Sequence, residues 1–149
     1  MGRPDPCEPS FEAALLPRTQ TLCCLELAPA ALALRLAVVT GVREQLGAYG
    51  PAAHLVTVGP GGRPHVVSVI VEADGELLRT TAGSTTSANA AANPAVTLVW
   101  APPPGEAYTL LVDGRAEPVD DRLVVVPTRA VRHRVVTASG DGPSCITIL

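Results

Sequence analysis

The spacing of apolar residues changes near position 50. Over residues 30–47, "AALALRLAVVTGVREQLG", Leu32, Leu36, Val39, Val42 and Leu46 recur at the three-to-four interval that lines one face of a helix. Gly47 or Gly50 ends such a helix, and Pro51 opposes its continuation. Beyond it the pattern shortens to β-branched runs bounded by Gly and Pro. "AHLVTV" (53–58), "HVVSVIVEA" (65–73) and "ELLRTT" (76–81) read as a meander of three antiparallel strands. They are joined by the turn "GPGGRP" and by Asp74-Gly75, a strong hairpin signal. Ser84 or Thr85 can cap a short helix over 86–92, which Asn93-Pro94 stops. "AVTLVW" (95–100), "YTLLVDGRAEPV" (108–119) and "RLVVVPT" (122–128) form a fourth, fifth and sixth strand, with Asp113-Gly114 as a bulge inside the fifth. "TRAVRHR" (128–134) reads as a last helical turn.

Six short strands with a small helix after the third predict a mainly β domain, a closed or nearly closed antiparallel barrel. A doubly wound sheet needs longer crossover helices than these spacings allow. The expected organisation is a loosely ordered N-terminal extension over 1–29, the barrel over 30–136, and a C-terminal tail over 137–149 with little to fix it.

Composition narrows the function. A chain of 149 residues suits one domain, and its 47% hydrophobic content, carried by Val, Leu and Ala, excludes general disorder. All eleven positive side chains are arginines, the net charge is −3, and no basic block occurs. That argues against nucleic acid or an anionic membrane as partner. The apolar stretch from Leu22 to Val42 is broken by Glu26, Pro29 and Arg35, which excludes a transmembrane helix. Arg3 is offset by Asp5 and Glu8, unlike a signal peptide. The expectation is a soluble, cytoplasmic protein. Cys7, Cys23, Cys24 and Cys145 lack metal-ligand spacing and read as free thiols, so no metal site is expected. No nucleophile–base pair and no paired carboxylates stand out, which suits chemistry done by a bound cofactor, or none.

The segment "HLVTVGPGGRPHVVSVIVEADGELLRTTAGSTTSANAAANPAVTLVW", followed by "YTLLVDGRAEPVDD", resembles the pyridoxamine 5'-phosphate oxidase-like proteins, the FMN-binding split barrels. In that family a strand reading "LaTv" precedes a "dGrPh" turn. A strand ending in Thr then leads to a helix carrying an asparagine, with a proline five residues on, and a later strand reads "vrGrAe". Asn89 with Pro94, and Val112 to Glu117, match the last two features. The resemblance spans residues 52 to about 126, roughly half the chain.

It implies a six-stranded antiparallel split β-barrel with short flanking helices, assembled as a homodimer with the cofactor site at the subunit interface. It also implies a flavoprotein oxidoreductase that uses FMN, or alternatively the deazaflavin coenzyme, on a small-molecule substrate. Other members bind haem or no detectable cofactor. The alternatives are a non-catalytic split barrel that binds a flavin or other ligand, and a cofactor-free structural dimer. By the same resemblance Thr80 and Thr81 supply hydroxyls at the strand end. Gly83, Ser84, Thr86, Ser87 and Asn89 form the phosphate turn and helix start, where backbone N–H groups favour an anion. Ser68, which breaks the apolar run of "HVVSVIV", reads either as a hydrogen-bonding partner for the flavin ring or as an outward-facing strand position. The chain departs from the family at Thr86, where a basic residue is usual, and at Ala90, Ala91 and Ala92, where arginines are common. Arg79, Arg63 or an arginine from the partner subunit is the candidate replacement for the missing charge.

Four further readings concern residues outside that set. Trp100 is expected in the core rather than stacked on a cofactor ring. His54 and His65, at strand ends, read as structural or exposed rather than as a base or haem ligand. His133 lies among Arg129, Arg132 and Arg134, read as a solvated helix face with an anion-receiving patch as the alternative. Strands as apolar as "HVVSVIV" and "RLVVV" are expected to bury an outer face against a partner.

Overall fold

The computed structural model describes residues 41–135 and 142–148. The N-terminal extension, the first part of the predicted helix and residues 136–141 lie outside the described residues. Helix α1 occupies described residues 41–49. It runs through Gly47 and stops at Gly50, whose φ of 78° lies in the left-handed region and whose N–H bonds the Leu46 carbonyl at 2.9 Å. Val42 points from α1 into the core.

Eight strands follow among the described residues: β1 (Ala52–Val58), β2 (Pro64–Ile70), β3 (Glu72–Asp74), β4 (Leu77–Thr81), β5 (Ala95–Trp100), β6 (Tyr108–Val119), β7 (Arg122–Arg134) and β8 (Cys145–Thr147). Helix α2 (Ser84–Ala92) joins β4 to β5. The ladder order is β2-β1-β5-β6-β7-β4-β3, with β8 on β7, and every pairing is antiparallel. This is a curled antiparallel sheet of the split-barrel class. Along the strands alternate side chains turn inward: Leu55 from β1, Leu98 and Trp100 from β5, Leu110 and Val112 from β6, Leu123 and Val125 from β7. Trp100 is fully buried, and its Nε1 donates to the Gly50 carbonyl at 3.1 Å, which fixes the end of α1 against the barrel.

Several expectations are corrected. The predicted second strand is two strands, because Val71 between them is buried and its N–H turns away to the Pro51 carbonyl at 2.8 Å. β2 therefore stays with β1, while β3 pairs with β4. The expected three-strand meander is broken there, and β2 approaches β4 without joining it in the ladder. Residues 128–134 are strand, not a helical turn. The long β6 offers hydrogen-bonding partners as far as the Tyr108–Arg134 pair, and this ladder overrides local preference. The bulge falls between Asp113 and Gly114 as predicted. A Cβ at Gly114 would lie 2.7 Å from the Val126 carbonyl oxygen, so close an approach admits only glycine. Helix α2 starts two residues earlier than predicted, with Gly83 and not Ser84 or Thr85 as its N-cap. Within the expected tail, residues 145–147 add β8 to the sheet, and the Ile148 N–H reaches the Ala130 carbonyl at 2.9 Å.

Candidate functional site

The seam where β2 approaches β4 is closed by the start of α2, and a cleft of about 490 Å³ lies there. A neighbouring cleft of about 430 Å³ shares Ser68, Val69 and Thr81 with it and reaches His54 and Ile70. Both are consequences of the broken meander: the unpaired edge of β2 and the end of β4 beyond its pairing with β3 leave space that a continuous ladder would fill.

Five candidate residues line the larger cleft: Ser68, Thr81, Gly83, Ser84 and Thr86. The helix start is open to an anion. Gly83 makes no side-chain cap bond, and the first turn carries no acidic residue. Since the first intrahelical bond runs from the Ser87 N–H to the Gly83 carbonyl at 3.0 Å, the preceding amides of Ser84, Thr85 and Thr86 have no helical acceptor. Thr86 is only 2% exposed and lines the cleft.

The other four candidates lie outside this lining. Thr80 is buried, with its hydroxyl 3.3 Å from the Thr81 carbonyl. Ser87 is half-buried one helical position beyond the lining. Asn89 is buried, and its Nδ2 donates to the Thr57 hydroxyl at 3.2 Å, which ties α2 to β1. Its Oδ1 sits over Gly59, where a Cβ would lie only 3.1 Å away. Arg79 is held by Asp74, with Nη2 2.7 Å from Oδ2, and its Nε is buried without a partner.

Two lining residues carry polar groups that the sequence reading did not place there: Thr85 and His65. His65 shares the inward-leaning positions of β2 with Val67 and Val69, an alternation visible in "PHVVSV". It is the sole ionisable side chain in the cleft lining. His54 instead faces outward, with Nδ1 3.3 Å from the Ser68 hydroxyl.

The arginine cluster near residue 130 is not an open cationic patch. Arg129 pairs with Asp113 at 3.0 Å and Arg132 with Glu106 at 2.6 Å. Arg132 also lies over the Tyr108 ring, 5.0 Å from its centre, and donates through Nε to the Tyr49 hydroxyl at 3.2 Å. Burial works against its charge, but Tyr49 and Glu106 outweigh that and hold its pKa above the ordinary arginine value.

Against this geometry, a family model for pyridoxamine 5'-phosphate oxidase matches residues 43–140. The chain belongs to the pyridoxamine 5'-phosphate oxidase family. Uncharacterized proteins of Mycobacterium bovis and Mycobacterium tuberculosis are each 39% identical over 115 residues, covering 63% of this chain and 77% of theirs. Among solved structures, a family member from Clostridium acetobutylicum, related to general stress protein 26 of B. subtilis, superposes with a TM-score of 0.51. It is 15% identical and covers 71% of this chain and 90% of that one, a likeness of fold. An F420 reductase is 28% identical, with a TM-score of 0.49 and coverage of 58% of this chain and 94% of its own. Among the described residues no helix is long and apolar enough to cross a membrane.

Proposed function

We propose that the chain binds FMN, or alternatively the deazaflavin coenzyme, in the seam cleft, and acts as a flavin-dependent oxidoreductase on a small molecule. The observation that carries this reading is the convergence of an uncapped helix start and the hydroxyl residues Thr81, Ser84 and Thr86 on one polar-walled cleft. These groups fit a phosphate ester, which needs several donors around its oxygens. When bound, the flavin supplies the redox chemistry. The protein's share is placement. The Ser84, Thr85 and Thr86 amides and the Thr81, Ser84 and Thr86 hydroxyls hold the phosphate, and Ser68 offers a hydroxyl further along β2. Asn89 acts one step removed, by holding α2 over β1.

Homodimerisation completes the reading, with the cofactor site at the subunit interface. Val66 and Ile70 on β2 are 56% and 57% exposed, large apolar side chains on an outer face beside the clefts. A cofactor-free structural dimer is the competing reading, favoured by the cleft's lack of any Arg or Lys. Thermal melting separates the two. FMN or the deazaflavin coenzyme at a hundred times its Kd is expected to stabilise the protein by about 2.7 kcal/mol. A melting temperature unmoved by either ligand would leave the cofactor-free dimer as the better account.

A further inference from the structure

We propose that the second cleft, which adjoins the first through Ser68 and Thr81, is a ring-binding site in which His54 and Ser68 together read the lactam or imide edge of a planar heterocycle. The inference stands on side chains of β1 and β2 and holds whether or not the α2 turn binds a phosphate.

The outward face of β1 and β2 is built in cross-strand rows. Direct partners on antiparallel strands share a face, so Ala52 stands with Ile70, His54 with Ser68, Val56 with Val66 and Val58 with Pro64. Three of these four rows are apolar. Val99, the partner of His54 on β5, adds another apolar side chain beside the polar row. Val66 and Ile70, on either side of Ser68 along β2, are 56% and 57% exposed. The solvated face of an antiparallel sheet is ordinarily polar. This one carries a single polar row, and the cleft of about 430 Å³ opens there, with His54, Ser68 and Thr81 in a lining that is otherwise apolar. Apolar walls with a few placed polar groups are the usual form of a small-molecule site.

The polar pair sets what the ligand must offer. His54 Nδ1 lies 3.3 Å from Ser68 Oγ. When the hydroxyl donates to Nδ1, the Nε2–H is left as a donor and Oγ as an acceptor. When Nδ1–H donates to Oγ, Nε2 is left as an acceptor and the hydroxyl hydrogen as a donor. Each arrangement offers the cleft one donor and one acceptor. The complementary ligand carries an N–H and a C=O side by side, and a lactam or imide ring presents both on one edge. Ala52, Ile70 and Ala101 then cover its apolar surface. Two sources carry such an edge. One is the pyrimidine ring of a flavin whose phosphate end lies toward the α2 turn, past Ser68 and Thr81, which line both clefts. The other is a separate heterocyclic substrate held beside the cofactor.

The test uses lumichrome, a flavin-type ring with the imide edge but no side chain or phosphate, and 3-methyllumichrome, in which the imide N–H is blocked. Each is titrated against the purified full chain by fluorescence. Wild type is expected to bind lumichrome with micromolar affinity and the methyl derivative roughly tenfold more weakly. His54→Leu and Ser68→Ala should each weaken lumichrome binding about tenfold and remove most of the discrimination against the methyl derivative. Their Tm should stay within a few degrees of wild type, because both positions are exposed. Repeating the titration with FMN bound separates the sources: displaced lumichrome assigns the cleft to the flavin ring, and undiminished binding assigns it to a separate substrate. Lumichrome bound by wild type no more tightly than by His54→Leu, or no more tightly than its methyl derivative, would overturn the proposal, as would no lumichrome binding at all. His54-dependent lumichrome binding by a chain that fails to bind FMN would overturn the phosphate reading alone.

Discussion

Replacing Asn89 with Ala separates a residue that holds the site from one that touches the cofactor. Asn89 Nδ2 donates to the hydroxyl of Thr57, which is fully buried. Removing the amide leaves that hydroxyl without its partner and opens a small void over Gly59, where a Cβ would lie 3.1 Å from Asn89 Oδ1. Losing one partner of a buried hydrogen bond costs about 1–3 kcal/mol. For a domain of this size that corresponds to a fall in Tm of roughly 3–10 °C. Thermal and urea unfolding of wild type, Asn89→Ala, Thr57→Val and the double variant form a cycle, and the two sites should couple by roughly 1 kcal/mol. Affinity for FMN should fall in Asn89→Ala only as α2 loosens. A variant that melts within a degree of wild type yet loses FMN affinity outright would refute this reasoning and make Asn89 a direct ligand.

The remaining predictions bear on packing, the site and assembly. Gly114→Ala pushes a methyl to 2.7 Å from the Val126 carbonyl oxygen, and the urea midpoint should fall by the equivalent of about 1–3 kcal/mol. Trp100→Ala empties a fully buried site and should cost about 3–5 kcal/mol in the same assay. Thr86→Val keeps the shape and removes a hydroxyl from the cleft lining; FMN affinity should drop roughly tenfold while Tm stays within a few degrees of wild type. Ile70→Asp places a charge on the exposed apolar face and should convert a dimer to a monomer by light scattering.

Much of the barrel was legible because its strands alternate strictly. β6 runs over 108–119 as predicted, and its bulge is announced by Asp113-Gly114 in an otherwise regular strand. The errors are places where distant pairing overrode local pattern. Nothing in "HVVSVIVEA" shows that the Val71 N–H will turn to Pro51, because that acceptor belongs to the entry of a different strand. "TRAVRHR" has helix-compatible residues, and only the length of its partner β6 makes it strand. The site divides in the same way. The small hydroxyl residues after Thr81 mark the turn, and the structure brings five of the nine candidates to one cleft. Sequence spacing could not distinguish Asn89, which faces the barrel, from Thr86, which lines the cleft. His65 was hidden for a related reason. A histidine at the start of a strand looks exposed until the start of α2 is seen to line the same cleft.

The central claim is that the seam cleft holds a flavin. The most direct measurement is a fluorescence titration of FMN against the purified chain, with stoichiometry read from the break point. The account predicts saturable quenching at one flavin per chain with micromolar or tighter affinity. Unquenched FMN fluorescence at protein concentrations well above that range would contradict it.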